Sequence, residues 1–243
     1  MKKPVTPYKS SQSSKKEQVT TMFNGISKQY DVLNRVISLG IDQSWRRKVV
    51  RMASENQPQR ILDVATGTGD LAIALKATGA NEIIGLDISP GMLEIGTEKV
   101  KALALDHQIN MVLGDGEKLP YEDNYFDVIT VAFGVRNFEE LDKGLSEIFR
   151  VLRPNGKFLV LETAVPTRFP FKQGYQLYSG WIVPLIGRLF SRDRSAYQYL
   201  TDSAAVFPHG PAFNNILEKI GFIKVKDNPQ TLGVASIYCA TKP

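Results

Sequence analysis

The chain has 243 residues, 43% hydrophobic and 23% charged, the composition of an ordinary water-soluble globular domain. Its apolar runs fall short of the roughly 18–20 residues that span a bilayer, and its lysine-bearing N-terminus lacks the apolar stretch of a secretory signal. The net charge of +5 invites a nucleic-acid reading, but five lysines (Lys2, Lys3, Lys9, Lys15, Lys16) against Glu17 place +4 of it in residues 1–18 and leave only +1 elsewhere.

In chain order, residues 1–18 are rich in Ser and Lys and are expected to be a basic, disordered, solvated tail, so nucleic acid is not an expected partner. Residues 19–56 predict a helical segment ahead of the first strand. RILDVA (60–65) predicts that strand, and NEIIGLD (81–87) the second. Ser89 and Pro90 open a helix in N-cap and N1 style. INMVLG (109–114) and YFDVITVAF (125–133) follow as strands. The amphipathic FEELDKGLSEIFRVL is stopped by Arg153-Pro154-Asn155-Gly156, and KFLVLET (157–163) makes a fifth strand. Residues 164–205 are aromatic-rich and broken by Gly and Pro, an insertion into the pattern. Residues 222–226 and 233–241 predict two last strands, antiparallel across a turn at Asp227-Asn228-Pro229-Gln230. Residues 19–243 thus predict a single α/β domain. Its sheet is mostly parallel and seven-stranded, with a terminal antiparallel hairpin and helices on both faces.

The ligand of such a sheet belongs over the carboxyl ends of its strands. Gly67-Thr68-Gly69 followed by Ala72 satisfies the loose dinucleotide pattern, but Asp63 stands just before that turn. A pyrophosphate there would meet the carboxylate at a cost on the order of 4 kcal/mol per charge pair, at about 4 Å and an effective dielectric near 20. A cofactor carrying positive charge and no phosphate is favoured, and S-adenosylmethionine (SAM) is one. Asp87 ends the second strand, where a carboxylate can accept from a ribose diol. Asp115 and Gly116 follow the third strand, where one can accept from an adenine amine and the other lets the ring approach the backbone. The expected cofactor is SAM, held by Asp63, Gly67, Thr68, Gly69, Asp87, Asp115 and Gly116, each of which also has a plain reading as a turn or cap residue.

Several segments resemble the class I SAM-dependent methyltransferases, and within them the quinone-biosynthesis C-methyltransferases. They are FNGISKQYDVLNRVISLGIDQSWRR (23–47), DVATGTGDLA (63–72), FGVRNF (133–138), RVLRPNGKFLVLE (150–162) and YSGWIVPLIG (178–187). The resemblance spans about residues 19–241. It implies the Rossmann-like class I fold, SAM as methyl donor, and the ring of a prenylated quinol as acceptor: demethylmenaquinol, or alternatively a benzoquinol precursor of ubiquinone. The chain departs from the family pattern at Asp42, where many members have His, and at Glu162-Thr163-Ala164, where the pattern ends Glu-x-Ser. Asn155 stands where the pattern has Gly, and Ala132 where relatives have a Ser that contacts SAM.

Methyl transfer from a sulfonium needs an aligned nucleophile and a dry site, and for a hydroquinone the nucleophile is a ring carbon activated by loss of a neighbouring hydroxyl proton. Arg136, in the Gly134-Val135-Arg136-Asn137 segment, is expected to stabilise the developing phenolate, with Asn137 beside it. The plain alternative for Arg136 is a surface ion pair with Glu139 or Glu140. Tyr30 and Asp31 are expected to shape the opposite side of the pocket. No metal is required and no His/Cys cluster has metal-ligand spacing. His209, in a Phe-Pro-His-Gly loop, is a candidate base with the plain alternative of a solvent-exposed loop histidine, and Cys239 reads as an inert thiol inside the last strand. In residues 165–200, Tyr178, Trp181, Leu185 and Leu189 lie at helical spacing among several arginines, either as a packed helix or as a lid that takes a prenylated ring from a membrane surface. The expected partners are therefore the quinol and a membrane met peripherally from the cytoplasm. The oligomeric state is open, with a homodimer allowed. Two competing readings are an NAD(P)-dependent oxidoreductase and a non-catalytic SAM-binding protein.

Overall fold

The structure, a computed structural model, describes residues 5–166, 169–178, 180 and 194–243. Seven strands form one sheet: β1 (Arg60–Val64), β2 (Glu82–Asp87), β3 (Ile109–Leu113), β4 (Phe126–Ala132), β5 (Leu152–Thr163), β6 (Ile223–Gln230) and β7 (Ala235–Thr241). Their order is β3-β2-β1-β4-β5-β7-β6. All pairings are parallel except those of β7, which runs antiparallel to β5 on one side and β6 on the other. The helices are α1 (Lys15–Ile37), α2 (Asp42–Ser54), α3 (Asp70–Leu75), α4 (Pro90–Ala102), α5 (Leu141–Val151), α6 (Phe171–Leu177), α7 (Arg194–Val206) and α8 (Pro211–Ile220). Among the described residues, no helix is long and apolar enough to cross a membrane.

The strands alternate their side chains between two cores, which is why each reads as a continuous apolar run. Leu62, Ile84, Ile129 and Val160 face one core, closed by Leu145 and Ile148 of α5 and Phe213 and Leu217 of α8. Ile61, Ile83, Val128 and Leu159 face the other, closed by Trp45 and Val49 of α2, Leu71 of α3 and Val100 of α4. Successive connections carry the chain outward from β1 to β3, then back to β4 on the other side of β1. The carboxyl ends of β1 and β4 therefore diverge into loops that leave a crevice between them.

Three expectations are corrected. Residues 5–18 are not a solvated, disordered tail. A Ser14/Glu17 capping box starts α1 at Lys15, Tyr8 N donates to Gln18 Oε1 at 2.9 Å, and Val5 and Tyr8 pack against a cluster of Val19, Met22, Ile26, Met92 and Tyr199. Burying that apolar face outweighs the solvation its lysines would enjoy in a free tail. The terminal turn lies at Thr231–Gly233, not at 227–230. Asp227-Asn228-Pro229-Gln230 is strand, because β6 is the sheet edge, where proline's missing donor is tolerated. Arg153-Pro154-Asn155-Gly156 sits as an irregularity inside β5, which already pairs with β4 at Leu152 and resumes at Lys157. Of the insertion, α6 and α7 are described, whereas Trp181, Leu185 and Leu189 lie outside the described residues.

Candidate active site

Two adjoining cavities open at the crevice. The first, about 670 Å3, is lined by the carboxyl ends of four strands: Val64, Ala65 and Gly67 after β1, Leu86, Asp87 and Ile88 after β2, Gly114–Glu117 after β3, and Ala132, Phe133 and Gly134 after β4. Val19, Phe23 and Tyr30 of α1 roof it. The second, about 900 Å3, is lined by side chains from α1, α2, α6 and α7, with Arg136, Phe133 and Thr163 at its floor. Tyr30 and Phe133 belong to both walls.

The first cavity is held by short local contacts. Gly67 has φ +59 and donates to Asp87 Oδ2 at 2.8 Å, while Asp87 Oδ1 accepts from Ser89 N at 2.8 Å, so one carboxylate fixes the glycine turn and the start of α4 together. Burial pushes the Asp87 carboxyl up, against the lowering by those amides. A Cβ on Gly67 would meet nothing within 4 Å, whereas one on Gly116 would press Val64 and Phe138 and one on Gly134 would strike Ala65. Ala65 and Phe133, both non-glycine at positive φ, turn the chain away from β1 and β4 and keep the crevice open.

The other predicted cofactor residues are arranged less directly. Asp63 is buried behind the wall, accepting from Thr66 Oγ1 at 2.6 Å and from its β4 register partner Thr130 at 2.5 Å. Burial raises its pKa to about 6 against the pull of both hydroxyls. Thr68 is a strut under the turn, donating to Asp31 Oδ1 at 2.5 Å and accepting from Lys99 Nζ at 3.1 Å. Gly69, φ +79, caps α3. Asp115 lines the cavity, and its Oδ2 is bridged by Lys16 Nζ at 2.7 Å, which also reaches Glu117 at 3.2 Å. Lys16 and Glu117 were missed in the sequence. The Ser14-x-x-Glu17 capping box was the signal that the lysines next to it belong to a helix rather than a tail.

Arg136 does not pair with Glu139 or Glu140. It turns inward, 6% exposed, and its Nη1 donates to Glu162 Oε1 at 2.5 Å and to Phe133 O at 2.8 Å. The buried partner keeps the guanidinium's pKa raised in spite of the desolvation that opposes it. Arg136 Nε and Glu162 Oε2 are buried without a hydrogen-bond partner. Asn137 lines the first cavity: its Nδ2 donates to Phe133 O at 3.3 Å and its Oδ1 accepts from Tyr199 Oη at 3.1 Å. Burial pushes the Tyr199 phenol up to about 12, so it stays a donor. Tyr175 and Tyr178 bring α6 to the second cavity, with Tyr178 Oη donating to Ile37 O at 2.5 Å. His209 lines a separate cavity beside Asp227, away from this pair.

The donor set of the first cavity fits SAM. Its carboxylates suit ribose hydroxyls, an adenine amine and an ammonium. Its one lysine is already neutralised by Asp115 and Glu117 and offers no free charge to a phosphate. A family model described as the ubiE/COQ5 methyltransferase family matches residues 11–242. A demethylmenaquinone methyltransferase of Bacteroides fragilis is 47% identical over 239 residues, covering 98% of this chain and 97% of that protein. A ubiquinone/menaquinone biosynthesis C-methyltransferase of a Geobacter species is 42% identical over 232 residues, covering 95% and 98%. Among solved structures, a putative SAM-dependent methyltransferase of Methanococcus maripaludis shares the fold with a TM-score of 0.63 at 19% identity, over 91% of this chain and 94% of that one. Matched along almost its whole length, the chain belongs to the ubiE/COQ5 methyltransferase family and is a SAM-dependent methyltransferase.

Proposed function

We propose that this enzyme methylates the ring carbon of demethylmenaquinol, with SAM in the strand-end cavity and the quinol ring in the second. The observation that carries the reading is the common wall. Tyr30 and Phe133 border both cavities, so the cavities adjoin at these two side chains, and a donor in one and a flat ring in the other can come into the direct contact that methyl transfer needs. Bound in the first cavity, SAM supplies an electrophilic methyl group on a sulfonium. Asp87, Asp115 and Gly116 hold and orient it, and Gly67 leaves room for it. Arg136 faces the ring as a hydrogen-bond donor whose value rises as the hydroxyl beside the reacting carbon becomes a phenolate, in surroundings that exclude water. Tyr30 positions the ring where the two cavities adjoin, and Asn137 approaches that junction from the first cavity. Glu162, with one bare carboxylate oxygen next to Arg136, fixes that guanidinium and keeps the pair neutral before the ring arrives.

A prenylated quinol resides in a membrane, and we place the enzyme peripherally on the cytoplasmic surface. Exposed apolar side chains stand on segments that frame the second cavity: Leu39 and Ile41 between α1 and α2, Leu177 on α6, and Leu232 in the β6–β7 turn. Leu39 and Leu232, both at positive φ, are 75% and 63% exposed, so neither side chain is packed within the domain.

The test is the quinone content of cells lacking the protein, by mass spectrometry, paired with purified enzyme, SAM and a short-chain demethylmenaquinol. A menaquinone lighter by one methyl in the cells, and S-adenosylhomocysteine with methylated naphthoquinone in the tube, are expected. Accumulation of a demethylated benzoquinone instead would move the acceptor to the ubiquinone precursor. Unaltered quinones and no transfer to either ring would overturn the proposal.

A further inference from the structure

The second cavity holds two buried guanidiniums, and the proposed chemistry uses one. Arg46, on α2, also lines it, and its side chain is only 13% exposed. Its neighbours Arg47 and Lys48 follow the usual rule that helix cations keep their heads in water, or close to it. Arg46 breaks that rule. Its Nη1 is tied to Asp42 Oδ2, and Asp42 Oδ1 accepts from Ser38 Oγ at 2.7 Å. Its Cζ stands 5.6 Å from the centroid of the Phe133 ring, the aromatic wall shared with the first cavity.

The arrangement mirrors the other guanidinium. Arg136 is anchored by one buried carboxylate, Glu162, and Arg46 by another, Asp42. In both, Nε is buried with no hydrogen-bond partner. Burial of a donor with nothing to receive it is costly, and a carboxylate–guanidinium pair in a helix core is commonly no better than apolar residues of the same volume. Two such donors beside one aromatic-walled cavity therefore call for something that enters it. Tyr30 lines the same cavity, and its phenol, whose pKa burial raises, feels both guanidiniums, each of which lowers it. The α2 helix that presents Arg46 is pinned in place, with Trp45 Nε1 donating to Thr231 Oγ1 at 2.8 Å.

We propose that Arg46 binds the second oxygen of the acceptor, so that a 1,4-dihydroxy aromatic ring is held at both oxygens. In this arrangement Arg136 takes the oxygen beside the methylated carbon and Arg46 the one across the ring. The inference rests on the second cavity being the acceptor site. Because each guanidinium carries its own carboxylate, the pair adds donors without adding net charge, which suits a neutral diol. Arg46 is a specificity residue: it distinguishes a hydroquinone from a phenol with one hydroxyl.

The experiment compares a short-chain 1,4-naphthohydroquinone with the matching 1-naphthol, under reducing conditions, in the full chain. Three variants are needed: Arg46→Met; Asp42→Asn with Arg46→Met, which leaves no unpaired charge; and Arg46→Lys, which keeps the ion pair but loses the Nε donor. Binding is read without turnover, with S-adenosylhomocysteine present, from tryptophan fluorescence, since Trp45 is in the cavity wall. Calorimetric SAM affinity reports the fold. The expected result is at least a tenfold weaker Kd for the diol in all three variants. KM for the diol should rise by a similar factor with kcat within about threefold, and the diol-to-monophenol ratio of kcat/KM should fall at least tenfold. If Arg46→Lys binds the diol like the parent, or if both phenols lose affinity alike while SAM binding is retained, the assignment is wrong. If the parent protein binds neither phenol, the failure belongs to the reading of the cavity itself.

Discussion

The two cavities are assembled in different ways. The walls of the cofactor cavity come from the turns that follow consecutive strands, and its polar groups are already engaged: Asp87 by two backbone amides, Asp63 by two threonines, Asp115 by Lys16. The cavity proposed for the acceptor is built from two helix pairs that lie far apart in sequence, α1–α2 and α6–α7, and keeps buried donors unused, Nε of Arg46 and of Arg136. One is a preorganised cradle that needs a ligand only to fill it. The other holds buried donors at a cost that the proposed acceptor would relieve. Binding energy in the first is expected to be set by geometry, and reactivity in the second by charge.

The sharpest way to break this contrast is at Arg136. Replacing Arg136 with Met and Glu162 with Gln together removes the charges without orphaning either partner. It should lower kcat about 10^3-fold, roughly 4 kcal/mol, while SAM affinity stays within about threefold. Steady-state kinetics with calorimetry checks this, and a parallel loss of SAM affinity would move Arg136 into the cradle. Next is Asp63. Its folded pKa of about 6 lies above the ordinary 3.8, so the folded state holds its proton longer than the unfolded state. Stability should therefore fall as pH rises from about 4 to about 6 and level off above, a loss on the order of 3 kcal/mol. Urea unfolding across that range should show the fall in the parent and not in Asp63→Asn, and the variant should be the more stable at neutral pH. Equal slopes in both would show that the two threonines already cancel the cost of burial.

Asp87→Ala tests the cradle itself. It removes an acceptor from Gly67 and Ser89, and SAM should bind at least tenfold more weakly, roughly 1.5–3 kcal/mol, in a folded protein. Unchanged affinity by calorimetry would take Asp87 out of the site. Smallest is Lys16→Ala. The Lys16 pair is 27% exposed on its cationic side, so its worth is below about 1 kcal/mol, and stopped-flow should find SAM leaving two- to fivefold faster. A larger change would mean that α1 is held over the cofactor mainly by this contact.

What could be read in the sequence followed the same division. The first cavity is lined within a few residues of each strand end, so Gly67, Asp87, Asp115 and Gly116 were legible as a set that lines one cavity, and the seven strands were legible from apolar runs covered on both faces. The Arg136–Glu162 pair joins residues 26 apart through the β4–β5 register, which local spacing cannot supply, so the nearby Glu139 and Glu140 looked like better partners. Lys16 looked solvated because the apolar face that docks α1 is spread over Val19, Met22 and Ile26 and finds its partners in α4 and α7. Pro229 looked like a turn because edge position is a property of the sheet, not of the peptide. Arg46 carries no local mark that separates it from Arg47 and Lys48 beside it, and only the tertiary fold turns it inward.

The place of β7 sets the order in which the molecule can be made. This last strand is wedged between β5 and β6, registered with β5 from Thr163↔Ala235 to Lys157↔Thr241 and with β6 along its other side. On a ribosome, β1 to β5 can gather as soon as they emerge, but β5 then exposes a long, apolar, unpaired edge until residue 241 is free. Closure of that edge needs contacts of long sequence separation, the slow kind. The nascent chain therefore carries that apolar edge unpaired until β7 has emerged. A protein shortened by even a few residues at β7 is expected to reach the cell as an aggregate rather than as a weak enzyme.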